Sequence, residues 1–255
     1  MSAALDDAAL LRYSRHILLD EWGVAGQERL QSAHVLIIGA GGLGCPAALY
    51  LAAAGVGSLT VADGDRVDLT NLQRQIGHDS ASVGDSKVRS LARRLSALNP
   101  EVRVHPVERT LEGDELRAAV AAADVVIDAT DRFATRQAIN RACVAARRPL
   151  VSGAAIRFDG QVSVFDLRRP DSPCYACIYP EHGEHEEVAC AEMGVFAPLV
   201  GIVGSMQAAE ALKLLVGIDG AEALVGRLLM IDALSMNVHT VRLRRDVGCT
   251  VCAAR

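Results

Sequence analysis

The chain has 255 residues, 51% of them hydrophobic, and a formal net charge of −5. That suits one sizeable α/β domain, and the mild acidity with interspersed basic residues argues against a nucleic-acid-binding surface. No apolar run is expected to reach the roughly 18–20 residues of a membrane span, and Met1–Asp7 has neither the basic nor the apolar stretch of a signal peptide.

Ala8–Trp22 reads as an amphipathic helix, with Leu10, Leu11, Ile17 and Leu18 at helical spacing and Arg12 and Arg15 near its middle. A helical piece around Gln27–Gln31 leads into an apolar strand, His34–Gly39. The turn Gly39-Ala-Gly41-Gly42-Leu-Gly44 follows, then a helix over Leu43–Ala54 and a strand over Ser58–Ala62 that ends on Asp63. A polar loop spans Asp63–Gly84. Asp85 is placed to cap a helix running to Leu98, where Asn99-Pro100 stops it. Glu101–Val107 alternates as a strand, Leu111–Ala122 is helical, and Asp124–Thr130 is a buried strand. Phe133–Ala146 is helical and Pro149–Ser152 makes the next strand.

This alternation predicts right-handed crossovers and a Rossmann-like, doubly wound parallel sheet. The character changes after Ala155. Gln161–Phe165 alternates as an antiparallel strand should. Arg168–Glu192 is a loop rich in charge, His and Cys; Pro198–Val216 is a long apolar helix; strands Arg227–Ile231 and Val238–Arg244 close the chain. One continuous sheet is expected, with N-terminal helices over residues 1–33, a nucleotide-binding half over 34–154 and an antiparallel C-terminal half over 155–255.

Gly39, Gly41 and Gly44 have the G-x-G-x-x-G spacing in a strand–turn–helix context. Such a turn lets backbone amides approach a phosphate, and Asp63 at the end of the next strand can accept from ribose hydroxyls. By itself the motif favours NAD and an oxidoreductase. Asn71, Gln73, Arg74 and Lys87 lie where they could reach back over phosphates, and Asp131 follows a strand at the ligand-binding edge of the sheet. Two cations exceed what a pyrophosphate diester needs, and a nearby carboxylate suits Mg²⁺, so the set points to a triphosphate. The competing reading is of surface cations and a helix cap.

The cysteines number seven. In a cytoplasmic protein, which is the expected location, thiols stay reduced and favour metal binding or catalysis over disulfides. Cys174-Tyr-Ala-Cys177 and Cys249-Thr-Val-Cys252 form two Cys-x-x-Cys pairs. Four thiolates suit a closed, structural Zn²⁺ site; a redox dithiol or unrelated thiols are the alternatives. His182 and His185 are expected to be loop residues outside that shell, and Cys45 and Cys143 core residues.

The chain resembles the MoeB/ThiF/HesA family of adenylyltransferases, relatives of the ubiquitin-activating enzymes. The resemblance rests on Arg12-Tyr-Ser-Arg15, Gly39–Gly44, Ala54-Gly-Val-Gly57, Asn71-Leu-Gln-Arg-Gln75, Lys87, Asp128-Ala-Thr-Asp131, Val151–Ala155, Gly160-Gln161 and the two cysteine pairs, and runs from Leu11 to Cys252. It implies that ATP and the C-terminal carboxylate of a ubiquitin-like sulfur carrier protein ending Gly-Gly give an acyl-adenylate, later converted to a thiocarboxylate. Gly42, Asp63, Asn71, Gln73, Arg74, Lys87 and Asp131 would then bind ATP and Mg²⁺. Arg15 would be contributed across a homodimer interface. The C-terminal half would bind the carrier and hold structural Zn²⁺, and an external protein would donate sulfur. Cys190 matches a position where some relatives carry a thiol that links covalently to the carrier or sulfur source; a half-buried apolar role is the alternative. Arg132 stands where the family usually has Asn. Val151–Ile156 and Met193–Pro198 resemble the molybdopterin branch, toward which the resemblance leans, whereas Arg12–Arg15 and Pro46–Tyr50 resemble the thiamine branch. A non-catalytic, partner-binding member of the family is a further alternative.

Overall fold

A computed structural model describes residues 5–181, 193–218 and 223–253. Strands β1 (His34–Ile38), β2 (Ser58–Ala62), β3 (Arg103–Val107), β4 (Val125–Asp128) and β5 (Leu150–Ile156) are parallel. Strands β6 (Asp159–Phe165), β7 (Arg227–Asp232) and β8 (Asn237–Arg242) add to them antiparallel. The single sheet has the order β3-β2-β1-β4-β5-β6-β7-β8. All of β4 and all but the first residue of β1 are buried, which is why they read as unbroken apolar runs. β5 belongs to both halves, pairing parallel with β4 and antiparallel with β6.

Helices cover both faces. On one side α3 (Gly23–Ser32), α4 (Gly44–Ala54), α5 (Lys87–Leu98) and α9 (Ala197–Val216) bury Leu30, Leu51, Leu91, Leu95 and Leu199 against Val35 and Ile37. On the other, α6 (Gly113–Ala122) and α7 (Phe133–Ala146) bury Leu116, Val120 and Ile139 against Leu36 and Ile38. Alternate residues of β1 thus feed two cores, as the pleat requires. The short α8 (Tyr175–Ile178) joins the second core.

Three expectations are corrected. The first helix is broken into α1 (Asp7–Arg12) and α2 (Ser14–Ile17) at Tyr13, which turns inward and whose hydroxyl accepts from Asn99 Nδ2 at 2.9 Å. Neither piece buries a residue, and Leu11 (78% exposed) and Leu18 (71%) face outward. Asp85 does not cap α5: Ser86 holds the cap position, and the Asp85 carboxylate pairs with Arg93 within that helix. Finally, α9 has the length and composition of a membrane-crossing helix. It is nevertheless a core helix, with Leu199, Val200, Val203, Ala208 and Ala211 against the sheet and Gln207 Nε2 donating to the Asp128 carbonyl at 2.7 Å.

Candidate active site

The helix after β1 packs on one face of the sheet and the helix after β4 on the other, so the connections diverge between these neighbouring strands. A crevice opens there, at the carboxyl ends of the strands. It forms a cleft of about 1260 Å³ whose walls include Gly39, Gly41, Gly42, Asp63, Arg74, Lys87 and Asp131. Its floor is the glycine turn. Gly39 has φ +101°, and a Cβ on Gly44 would lie 1.8 Å from the Gly39 carbonyl oxygen, so only glycine lets α4 start so close to β1. Among the described residues, the amides of Gly41, Gly42 and Leu43 make no hydrogen bond. Unpaired amides at a helix N-terminus form an anion-binding cradle.

Asp63 is half-buried beside this cradle. Its Oδ2 accepts from Ala40 N and its Oδ1 from Asp65 N, both at 2.8 Å. Lys87, the first residue of α5, is only 7% exposed, and its Nζ lies 2.7 Å from Asp65 Oδ2. A largely buried ammonium requires such a partner, and Asp65 is mostly exposed. Arg74 holds itself over the cleft by donating to the Thr70 carbonyl at 3.0 Å. Asp131 and Arg132 stand exposed at the rim, just before α7. The other carboxylate of this segment, Asp128, is buried: it accepts from the Thr130 amide and hydroxyl and from Ser152 Oγ.

Other candidates lie elsewhere. Asn71 Oδ1 accepts from Asp68 N at 3.3 Å in a local cap, Gln73 is exposed, and neither is on the cleft wall. Arg15 is exposed on α2, away from its own chain's cleft, and makes no hydrogen bond or ion pair among the described residues. Cys190, His182 and His185 lie outside the described residues.

Gln75, Tyr175 and Tyr179 line the cleft although sequence reasoning gave them no role there. Gln75 is buried with Oε1 unpaired; the one signal for it was the density of amide and guanidinium side chains in residues 71–75. The two tyrosines stack at 4.8 Å, and Tyr179 donates to Gln161 Oε1. Their signal was their place inside and just after the first Cys-x-x-Cys.

The four cysteines converge beside α8. Sγ atoms of Cys174, Cys177, Cys249 and Cys252 all lie within 4.8 Å of one another. Cys174–Cys249 is 3.6 Å, Cys177–Cys252 3.5 Å and Cys174–Cys177 3.9 Å. Thiolates about 2.3 Å from a tetrahedral Zn²⁺ stand about 3.8 Å apart, so the knot has the dimensions of a metal cage and is too wide for disulfides of about 2.05 Å. The hydrogen bond shared by Cys174 and Cys177 lowers the Cys177 pKa to about 5 and raises that of Cys174. Cys45 and Cys143 are fully buried, as expected of core residues.

A polyphosphate-sized cleft at the switch point, floored by free amides and flanked by cations, defines a nucleotide-binding α/β enzyme. The ThiF family matches residues 13–251, and the chain belongs to that family. It is 46% identical to the molybdopterin-synthase adenylyltransferase of Escherichia coli (strain K12), over 98% of this chain and 99% of that protein. It is 47% identical to the sulfur carrier protein ThiS adenylyltransferase of the same organism, over 97% of each. It is 48% identical to the SAMP-activating enzyme E1 of Haloferax volcanii, over 99% of this chain and 92% of that protein. The crystal structure of E. coli MccB with MccA-N7isoASN shares the fold, with a TM-score of 0.82 at 22% identity over 97% of this chain and 75% of that one. The protein is thus a nucleotidyltransferase of the ThiF/MoeB class, which sets aside the oxidoreductase reading.

Proposed function

We propose that this enzyme uses ATP with Mg²⁺ to adenylylate the terminal glycine carboxylate of a ubiquitin-like sulfur carrier ending Gly-Gly, preparing it for thiocarboxylate formation in molybdopterin or thiamine synthesis. The observation that carries the reading is the gathering of Arg74, Lys87 and the free amides of Gly41–Leu43 around one cleft. Attack of a carboxylate on an α-phosphate brings anion onto anion, so fixed positive charge must offset the repulsion. Asp63 suits the ribose, and Asp131 is an exposed carboxylate at the rim able to hold Mg²⁺, which would neutralise phosphate charge when bound. Gly42, Asn71 and Gln73 complete the proposed nucleotide set, the last two through movement of their loop. Arg132, in the place of Asn, adds a cation at the rim.

Arg15 acts in the partner's cleft of a homodimer: it makes no hydrogen bond or ion pair among the described residues, and the outward Leu10, Leu11, Leu18 and Leu19 supply an apolar contact surface. Zn²⁺ in the four-cysteine knot fastens residues 249–252 to the α8 region. Sulfur comes from a separate protein in the cytoplasm, and Cys190 is the candidate thiol for a covalent link. Relatives named for the two pathways are 46% and 47% identical, so sequence distance does not choose between carriers.

The test is the intact mass of molybdopterin-type and thiamine-type carriers after incubation with enzyme and Mg·ATP. The mass of one carrier should rise by one adenylate. Unchanged masses for every Gly-Gly carrier would favour a non-catalytic, partner-binding member.

A further inference from the structure

Behind the glycine turn, formed by residues that do not line the cleft, lies a small half-buried polar cluster. His78 Nε2 is 3.0 Å from the Ala40 carbonyl oxygen. His78 Nδ1 is 3.0 Å from Ser90 Oγ on α5, and Ser90 is buried. Cys45 Sγ, in α4, donates to the same Ala40 carbonyl at 3.3 Å. The Ala40 amide is fixed as well, by Asp63 Oδ2 at 2.8 Å. The residue on the cleft side of that carbonyl is Gly41, whose N–H has no partner among the described residues.

A carbonyl can only accept, so Nε2 must carry a proton and donate. With Nε2 protonated on a neutral ring, Nδ1 is an acceptor, and Ser90 Oγ–H supplies its hydrogen. Burial lowers the His78 pKa, which keeps the ring neutral, and raises that of Cys45 to about 12, which keeps the thiol protonated. In a planar trans peptide the C=O of one residue and the N–H of the next point in opposite directions. Holding the Ala40 carbonyl toward His78 therefore aims the Gly41 N–H into the cleft. The Cys45 thiol, a weak donor, is the second group on that carbonyl, and Gly39 and Gly41, on either side of Ala40, bring no side chain to hold the plane.

We infer that His78 is a positioning residue for the adenylylation reaction: through the Ala40 carbonyl, and with its tautomer set by Ser90, it orients the Gly41 amide toward a phosphate of the bound nucleotide. The role rests on the nucleotide site proposed above. It touches neither substrate nor metal. Its effect should fall on phosphate recognition, because the ribose is assigned to Asp63 and not to the Gly41 amide.

The test compares dissociation constants of ATP and adenosine for wild type, His78→Leu, His78→Gln and Ser90→Ala. His78→Leu should weaken ATP about tenfold, the value of one hydrogen bond to a charged group, and leave adenosine unchanged. His78→Gln, which keeps an N–H donor at similar reach, should restore most of the loss, and Ser90→Ala should fall between. In ¹⁵N-labelled wild type the Gly41 amide should shift on adding ATP but not adenosine. Equal weakening of ATP and adenosine, or ATP binding of His78→Leu equal to wild type, overturns the inference while leaving the nucleotide site intact. Should His78→Leu not fold, the Gly41 shift and the milder Ser90→Ala variant decide. Wild type that does not bind ATP would instead remove the site itself, and the inference with it.

Discussion

Removing the metal from the four-cysteine knot should cost the fold a definite amount. Cys174 and Cys249 are 75 residues apart in sequence yet 3.6 Å apart in space. In the chain-entropy account, closing a loop of that length removes about 4 kcal/mol from the unfolded state. For a chain of this size each kcal/mol moves the thermal midpoint by roughly 2–4 °C, so metal-free protein should melt roughly 8–16 °C lower. Scanning calorimetry before and after a high-affinity chelator measures this, with metal content followed by atomic absorption. Cys177→Ser should give the same shift without chelator. The bound metal should be zinc, one ion per chain. A midpoint that stays put after the ion has demonstrably left would refute the reasoning, since the knot would then be held by packing alone.

Three further outcomes are expected. Arg15→Ala and Lys87→Ala should each abolish adenylylation, yet refolding the two variants together should recover about a quarter of wild-type activity, because half the dimers are mixed and each holds one intact site; recovery of none would show that Arg15 serves its own chain or no cleft. Gly44→Ala forces a Cβ to within 1.8 Å of the Gly39 carbonyl, so the turn must move; ATP affinity should drop at least tenfold even if the variant melts only a few degrees lower, an overpacking cost of about 1–3 kcal/mol, and unaltered ATP affinity would contradict the cradle. Burial lowers the pKa values of His16 and His78 below the ordinary 6.5. The folded state therefore binds protons less readily than the unfolded one, so their contribution to stability is whole above pH 6.5 and is lost as pH falls through the lowered values. Urea titrations should show stability declining from pH 6.5 downward, and His78→Gln should flatten that decline.

The parallel half was legible because its signals are local. Apolar runs such as Val125–Asp128 are buried on both faces, and Phe133–Ala146 begins and ends where its pattern says. The cysteine knot was legible for a different reason: two Cys-x-x-Cys pairs are the spacing of a metal cage. What could not be read were contacts made at a distance. Tyr13 breaks the first helix because Asn99, 86 residues away, holds its hydroxyl. Asp85 leaves the helix cap because Arg93 offers a charge. The engagement of the Asn71 side chain in a local cap depends on loop geometry. His78 is one histidine in a polar loop, and only the fold sets its ring under the Ala40 carbonyl.

The central claim is that a carrier's terminal carboxylate displaces pyrophosphate from ATP in this cleft, and isotope exchange tests it most directly. Purified enzyme, Mg·ATP, ³²P-pyrophosphate and a Gly-Gly-terminated carrier should give labelled ATP, with no labelling when the carrier lacks its last glycine. If no label enters ATP with either the molybdopterin-type or the thiamine-type carrier, the chemistry assigned to Arg74, Lys87 and the glycine turn is wrong.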